Sequence, residues 1–128
     1  MKNKKFITKD SGERQSFESG MVRDTQEGKP RYDLIPVGPL RRVADLYARG
    51  AIKYDDNNWM KGQPYSRAYA SLFRHVIGWR EGDRTEDHLA GVIFNAMALM
   101  YYEDNKPELD DLFEGNKNER IQNVSKNS

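Results

Sequence analysis

The segment from Ser66 to Tyr102 constrains the possible fold more than any other part of the chain. It contains two stretches of helical periodicity separated by the acidic turn EGDRTED. The first stretch repeats apolar residues and one histidine at helical spacing: Ala68, Leu72, His75, Val76 and Trp79. In the second stretch the spacing predicts this core stripe: Leu89, Val92, Ile93, Ala96, Met97 and Met100. We therefore predict an antiparallel helical hairpin.

Both histidines of the chain fall within this segment. His75 lies on the apolar stripe of the first helix. On the second helix, His88, Gly91 and Asn95 lie along a face beside the predicted core stripe. Antiparallel packing would place His88 close to the turn, which holds four carboxylates: Glu81, Asp83, Glu86 and Asp87. We predict that any chemistry occurs at this end of the hairpin.

Ordinary structural roles can also explain part of this pattern. Asp83 or Thr85 can be the N-cap of the second helix, and Asp83 with Glu86 matches a capping box. Acidic residues in a first turn also interact favourably with the helix dipole. A histidine such as His75 can simply be a hydrogen-bonded core residue. The residues alone leave both interpretations open.

Composition excludes several classes of protein. The 128 residues suffice for one domain, and 21 Lys and Arg against 20 Asp and Glu argue against a general binder of polymeric nucleic acid. The absence of cysteine excludes disulfides and cysteine-ligated zinc, and fits an intracellular protein. No run approaches the roughly 18 apolar residues of a spanning helix, and the first residues lack the apolar region of an export signal. We expect a protein that neither spans membranes nor is exported.

The whole chain is predicted to contain four segments. Residues 1–13 are expected to be flexible, and residues 14–38 to form an extended arm ending in the lead-in GKPRYDLIPVGPL. Residues 39–115 form the helical core, with a first helix from Pro39 to about Tyr54 and a short last helix starting at Pro107. Residues 116–128 are predicted to be disordered. Trp59 lies in a polar loop. Its ring would either pack against the core or present its flat face to a ligand.

The second helix of the hairpin is apolar around nearly its whole circumference. Phe94, Ala98 and Tyr101 lie on the side away from its predicted core stripe. Two neighbouring helices in one small monomer would hardly cover all of these surfaces. We therefore predict a homo-oligomer, at minimum a dimer that forms a four-helix bundle.

Four runs in the chain resemble a known family. In order, they are GKPRYDLIP, RGAIKYDDNNWMKG, YSRAYASLFRHVIGW and EDHLAGVIFNA. They resemble the phage and prophage dATP/dGTP diphosphohydrolases, which are grouped with the all-α MazG-like nucleoside triphosphate pyrophosphohydrolases. The resemblance spans about residues 14–104. It implies a mainly α fold with a three-helix MazG-like unit, a purine nucleotide as ligand, and the bacterial host cytoplasm as location.

The resemblance also implies a reaction, the splitting of a dNTP into dNMP and pyrophosphate with magnesium or manganese. Cations, aromatic rings and one amide would bind the nucleotide, and the candidates are Lys29, Arg31, Lys53, Tyr54, Trp59, Arg74, Trp79 and Asn95. Carboxylates would hold the metal, and the candidates are Glu81, Asp83, Glu86 and Asp87. His75 or His88 would orient or deprotonate the attacking water.

Two departures from the family pattern keep other functions open. The paired E-x-x-E and E-x-x-D motifs of the MazG-like superfamily are absent at corresponding places, and many relatives have H-L-x-H where this chain has His88-Leu-Ala-Gly91. A non-catalytic sponge that sequesters a nucleotide signal of bacterial immunity would tolerate both changes. A helical module that binds a protein partner is the third hypothesis.

Overall fold

The computed structural model describes residues 5–113, and the chain divides into two compact units, Met1–Ile35 and Pro36–Ser128. The first unit contains an antiparallel hairpin of β1 (Arg14–Ser16) and β2 (Val22–Asp24), with Arg14 opposite Asp24. A short 3-10 helix, Tyr32–Leu34, follows. The tail predicted to be disordered, residues 116–128, lies outside the described residues.

Three helices pack together in the second unit. They are α1 (Val37–Lys53), α2 (Tyr65–Arg80) and α3 (His88–Asn105), with short 3-10 helices at Asn58–Lys61 and Pro107–Leu109. This confirms the mainly α prediction, and within residues 5–113 strands occur only in the first unit. None of the helices in that range combines the length and apolar character needed to cross a bilayer.

Two predicted element boundaries were wrong. α1 begins at Val37 instead of Pro39, because Pro36 already occupies the N-cap position and Pro39 is tolerated within the first turn, where no N–H bond is needed. Pro107 does start a helix, but only a single 3-10 turn that ends at Leu109.

The predicted core stripe of α3 was also wrong. Leu89, Ile93, Met97 and Met100 are 40–60% exposed in the single chain. The buried residues of α3 are instead His88, Ala90, Gly91, Asn95, Ala98 and Tyr102. Small residues dominate this buried line because they let the backbones of α2 and α3 approach closely. The predicted homo-oligomer, which would cover the exposed stripe, stays a prediction.

Two reciprocal contacts between glycine and histidine interlock α2 and α3. A Cβ atom at Gly78 would lie 2.6 Å from the Cε1 and Nε2 atoms of His88. A Cβ atom at Gly91 would lie 2.6 Å from the Cδ2 atom of His75. Real Cβ atoms do not approach other atoms this closely, so each glycine makes room for the imidazole of the facing helix.

A buried tyrosine fixes the loop between α1 and α2. Tyr102 packs in a core cluster with Tyr65, Ala68 and Ala98. Its hydroxyl group donates a 2.6 Å hydrogen bond to the carbonyl oxygen of Trp59 and accepts one of 3.2 Å from the side chain of Gln63. The loop that carries Trp59 is therefore held directly on α3.

An ion pair and a helix cap connect α1 to the start of α3. The guanidinium group of Arg42 donates two hydrogen bonds, 2.8 and 2.6 Å long, to the carboxylate of Asp87. Asp87 is also the N-cap of α3, and its Oδ1 atom accepts a hydrogen bond from the backbone N–H of Ala90. The prediction of Asp83 or Thr85 as the cap was wrong, because the carboxylate of Asp83 instead binds Thr85 and His88.

Replacing Gly91 with alanine is expected to destabilise the protein by about 1–3 kcal/mol, because the added methyl group overlaps the ring of His75. Gly50→Ala is the matched control. A Cβ atom at Gly50, within α1, would meet nothing within 4 Å, and alanine favours a helix over glycine by about 1 kcal/mol. Urea unfolding followed by circular dichroism measures both changes. Equal free energies of unfolding for the two variants would contradict the close approach of α2 and α3.

Candidate functional site

Two imidazole rings and a carboxylate form a continuous hydrogen-bonded chain. The Nδ1 atoms of His75 and His88 lie 2.9 Å apart, with 5.2 Å between the ring centroids. The Nε2 atom of His88 lies 2.7 Å from the Oδ2 atom of Asp83. The prediction that the two histidines converge beside the acidic turn is therefore confirmed.

When both rings are neutral, this geometry allows one arrangement of their protons. Asp83 is a carboxylate and can only accept, so His88 donates from Nε2. The Nδ1 atom of neutral His88 then accepts a hydrogen bond from the Nδ1–H group of His75. His75 is left with an unprotonated Nε2 atom, which makes no hydrogen bond to a described residue.

Exposure separates the roles of the two rings. His88 is only 7% exposed and uses both of its nitrogens in hydrogen bonds. His75 is partly buried, on the face of α2 that meets α3. Of the two rings, His75 is therefore the more exposed, and His88 is the one held between two hydrogen bonds.

The two hydrogen-bonded aspartates at this end of the hairpin are ionised at neutral pH. The hydrogen bond from His88, followed by bonds from the hydroxyl and backbone N–H of Thr85, lowers the pKa of Asp83 from 3.8 to about 2. The ion pair with Arg42 is the main reason why the pKa of Asp87 also falls to about 2. Both carboxylates therefore carry a negative charge in the folded protein.

An acidic cluster at the turn could hold a metal ion. Asp83, Glu86 and His88 each offer one ligand atom, and these atoms lie within 4.8 Å of one another. The structure thus brings together two of the four predicted metal ligands. Asp87 is occupied by Arg42 and by the start of α3, whereas Glu81 is the exposed C-cap of α2 and lies outside the cluster.

An aromatic cleft of about 620 Å³ lies between α1, the following loop and α3. We call it the aromatic cleft because Tyr47, Trp59 and Phe94 line it. The ring of Tyr47 lies 4.8 Å from that of Phe94 and 6.1 Å from that of Trp59. Its volume is typical of small-molecule sites. Four predicted nucleotide-binding residues line it: Lys53, Tyr54, Trp59 and Asn95.

A second cleft of about 580 Å³, the polar cleft, lies beside the start of α3. Three arginines line it, Arg42, Arg49 and Arg84, together with the carboxylates of Asp45, Glu86 and Asp87. Leu46 and Arg49 line both clefts, so the two are adjacent. A planar group in the aromatic cleft and an anionic group in the polar cleft could therefore belong to one ligand.

Sequence reasoning did not select the three arginines of the polar cleft. Arg42 and Arg49 are seven residues apart on α1 and share one face with Asp45. That spacing was a usable signal. The contribution of Arg84 was not visible, because it depends on how the turn after α2 packs against α1.

Three predicted residues of α2 line neither cleft: His75, Arg74 and Trp79. Arg74 is exposed, and Trp79 is 43% exposed with the guanidinium group of Arg84 at 5.9 Å from its ring centroid. Trp79 therefore contacts an arginine of the polar cleft without lining that cleft itself. Trp59 combines the two roles foreseen for it, because it packs against the buried core cluster and also lines the aromatic cleft.

The two remaining candidates belong to the first unit. Lys29 lies 3.3 Å from the carboxylate of Asp24, and Arg31 forms two hydrogen bonds, of 2.8 and 2.7 Å, with Asp33. The side chains of Lys29, Arg31 and Asp33 are exposed, whereas that of Asp24 is only 23% exposed. Their role in nucleotide binding stays a prediction.

The fold and the site define a small helical protein in which an aromatic cleft adjoins a cleft lined by arginines and carboxylates. A family model described as dATP/dGTP diphosphohydrolase, N-terminal, matches residues 19–112, which include all three helices and both clefts. The chain belongs to this family, and the resemblance seen in the sequence is confirmed. Comparisons with curated proteins and with solved structures gave no match.

Asp83→Asn is expected to weaken the acid dependence of stability. The folded-state pKa of Asp83, about 2, lies below its ordinary value of 3.8. The ionised group therefore stabilises the fold above about pH 4, and this stabilisation disappears as the pH falls towards about 2. The variant should be less stable at neutral pH and lose less stability over that acid range. Urea unfolding at a series of pH values measures this.

Asp104→Asn is the control for this experiment. Asp104 is exposed near the end of α3 and makes no hydrogen bond to a described residue. Its replacement should leave the acid dependence close to that of the wild type. If Asp83→Asn showed the same pH dependence as Asp104→Asn, the contact between Asp83 and His88 would be refuted.

Proposed function

We propose that the protein binds a purine deoxynucleoside triphosphate across the two clefts and splits it into dNMP and pyrophosphate. One observation carries the proposal: the aromatic cleft and the arginine-lined polar cleft are adjacent and share Arg49. Membership of the dATP/dGTP diphosphohydrolase family supports the same class of substrate.

The base and the phosphates would occupy different clefts. Tyr47, Trp59 and Phe94 offer ring faces and edges against which a purine can pack. Arg49, at the junction of the clefts, and Arg84 beyond it supply positive charge and multiple N–H donors for phosphate oxygens. This arrangement orients the triphosphate towards the acidic turn.

The acidic cluster fits a divalent cation. Asp83 and Glu86 supply carboxylate oxygens, the ligands that magnesium prefers. A cation bound there would offset the negative charge of the phosphate oxygens. Hydrolysis within the family is consistent with such an ion.

His75 would accept the proton of the attacking water. Its Nε2 atom is unprotonated in the tautomer that the hydrogen bonds select, and His88 and Asp83 maintain that tautomer. His88 is then a positioning residue, because neither of its nitrogens is free to receive a proton from water. Among the two histidines considered from the sequence, the geometry favours His75 as the base.

A non-catalytic nucleotide sponge is the second candidate, and one observation favours it. Asp87, predicted as a metal ligand, is bound in two hydrogen bonds by Arg42, which leaves few carboxylates for a metal. Aromatic and arginine contacts alone are sufficient to bind a nucleotide. A sponge would use the same two clefts without turnover.

His75→Ala is expected to lower the rate of dNTP hydrolysis about 100-fold or more, because general base catalysis typically contributes about 10²–10⁴-fold. Nucleotide binding should persist. The assay incubates the purified full chain with dATP or dGTP and magnesium or manganese, and quantifies dNMP and pyrophosphate. Arg67→Ala, an exposed residue of α2, is the control and should retain wild-type turnover.

Three outcomes would count against this assignment. Wild-type turnover in His75→Ala would refute the role of His75. An unchanged nucleotide released by heat from the wild-type protein, with no dNMP formed, would support the sponge instead. Absence of both binding and turnover would contradict both proposals and favour the partner-binding module.

A further inference from the structure

One side of the hairpin formed by α2 and α3 is apolar and uncovered in the single chain. Each residue of a helix points about 100° further around the axis than the one before it, so in an antiparallel pair the residues that follow the two facing lines lie on the same side. The facing lines contain Ala68, Ser71 and His75 on α2, and His88, Gly91, Asn95 and Ala98 on α3. The residues that follow them are aliphatic or aromatic: Tyr69, Leu72 and Val76 on α2, and Leu89, Val92, Ala96 and Leu99 on α3. We call this side the apolar face, and Phe73, Ile93 and Met100 lie along its edges.

The opposite side of α3 is already covered within the chain. Phe94 and Tyr101 precede the facing line, and their rings lie 4.8 and 5.1 Å from those of Tyr47 and Trp59, on α1 and its loop. Ala98 is fully buried. The three residues of α3 that the sequence placed away from the core stripe are therefore packed inside one chain. The surface that needs a partner is the apolar face instead.

The apolar face carries no charge. Between His88 and Tyr102 the sequence of α3 contains no Asp, Glu, Lys or Arg. Arg67 and Arg74, the two arginines inside α2, each precede a residue of the facing line and so lie on the other side of the hairpin. A helix side that faces water normally carries charged or polar residues. The apolar face therefore has the composition of a surface that is covered in the native protein.

The exposed area is large for a chain of this size. Six residues of the apolar face are 37–60% exposed: Tyr69, Phe73, Val76, Leu89, Ile93 and Met100. Whole side chains of this size have about 150–250 Å² of accessible surface, so these six present about 500 Å² per chain. Contiguous apolar patches of this size on soluble proteins mark interaction sites.

Two possible covers fit this face poorly. The residues of the sequence outside the described range, 1–4 and 114–128, contain only three large apolar side chains, Met1, Ile121 and Val124. Three cannot cover six. A membrane surface is also a poor match, because helices that lie on membranes carry Lys and Arg beside their apolar side, and this face has neither.

A second copy of the chain matches the face in both chemistry and area. It offers an identical uncharged surface, as a two-fold symmetric interface requires. Two such faces in contact remove about 1,000 Å² of apolar surface from water, which reaches the lower range of specific interfaces before any polar rim is added.

We infer that the apolar face binds the same face of a second copy, so that two α2–α3 hairpins form a four-helix bundle. In each copy α1 stays on the outside, because it packs on the opposite side of α3. Both clefts are lined by α1, so both remain open in the pair. The inference concerns assembly and does not depend on the proposed function.

The molar mass of the full-length protein in solution tests the inference. Sedimentation velocity at about 50 μM should give at least twice the 14.9 kDa of one chain. A monomer at this concentration would overturn the inference. If that monomer floated with vesicles of phosphatidylcholine and phosphatidylglycerol, the face would be assigned to a membrane surface instead.

A charge placed on the apolar face should separate the copies. Tyr69→Asp and Ile93→Asp are each expected to raise the dissociation constant of the dimer at least about 100-fold, because the symmetric interface would bury two unpaired carboxylates. Both side chains are exposed in the single chain, so both variants should fold, which circular dichroism checks. Ile52→Asp is the matched control, since Ile52 is 88% exposed on α1, and it should remain a dimer. Unchanged assembly in both face variants, or equal dissociation of the control, would overturn the inference.

A single cysteine identifies the occupant of the face. The chain has no cysteine, so the thiol of Ala96→Cys, in the middle of α3, can form a disulfide only with another copy. Pairing through the apolar face should make its oxidation to a cross-linked dimer at least about 10-fold faster than that of Ile52→Cys, which meets its copy only by collision. Non-reducing electrophoresis of a time course measures both rates. Equal rates would show that the apolar faces do not meet and would overturn the inference.

Discussion

The reciprocal packing of two glycines against two histidines determines the rest of the structure. Because Gly78 and Gly91 lack side chains, α2 and α3 approach closely enough for the imidazoles of His75 and His88 to lie within hydrogen-bonding distance. The same approach brings the acidic turn onto His88 through Asp83. A larger side chain at either glycine would separate the rings and break the hydrogen-bonded chain at its centre.

Both clefts depend on how other elements attach to this hairpin. Tyr102 holds the loop of Trp59 on α3, and Arg42 holds α1 at the start of α3 through Asp87. These two attachments lie at opposite ends of α3, so α1 and its loop are fixed along its length. The aromatic cleft forms beside one attachment and the polar cleft beside the other, with Arg49 common to both. A single ligand with a flat apolar end and an anionic end matches this layout.

Local periodicity predicted the three helices and the meeting of the two histidines, because both follow from helical spacing and a short turn. It failed for the core line of α3, since hydrophobicity alone favoured Leu89 and Ile93, whereas close helix packing selected the line of Gly91 and Asn95. It also missed Arg42, whose partner Asp87 is 45 residues away in the chain. The spacing of Arg42 and Arg49 marked one side of the polar cleft, but the contributions of Arg84 and Asp87 depend on contacts between distant segments, which local spacing does not encode. Four residues of the aromatic cleft were among the candidates selected from the sequence.

The tautomers of the two imidazoles test the central claim most directly. Long-range proton–nitrogen correlation spectra of the nitrogen-15-labelled protein distinguish protonated from unprotonated ring nitrogens. The structure predicts that in the neutral pair His88 is protonated at Nε2 only and that His75 carries its proton at Nδ1, the tautomer in which Nδ1–H is hydrogen-bonded to His88. Finding both rings protonated at Nε2, with neither Nδ1 atom in a hydrogen bond, would contradict the interlocked pair and the site built on it.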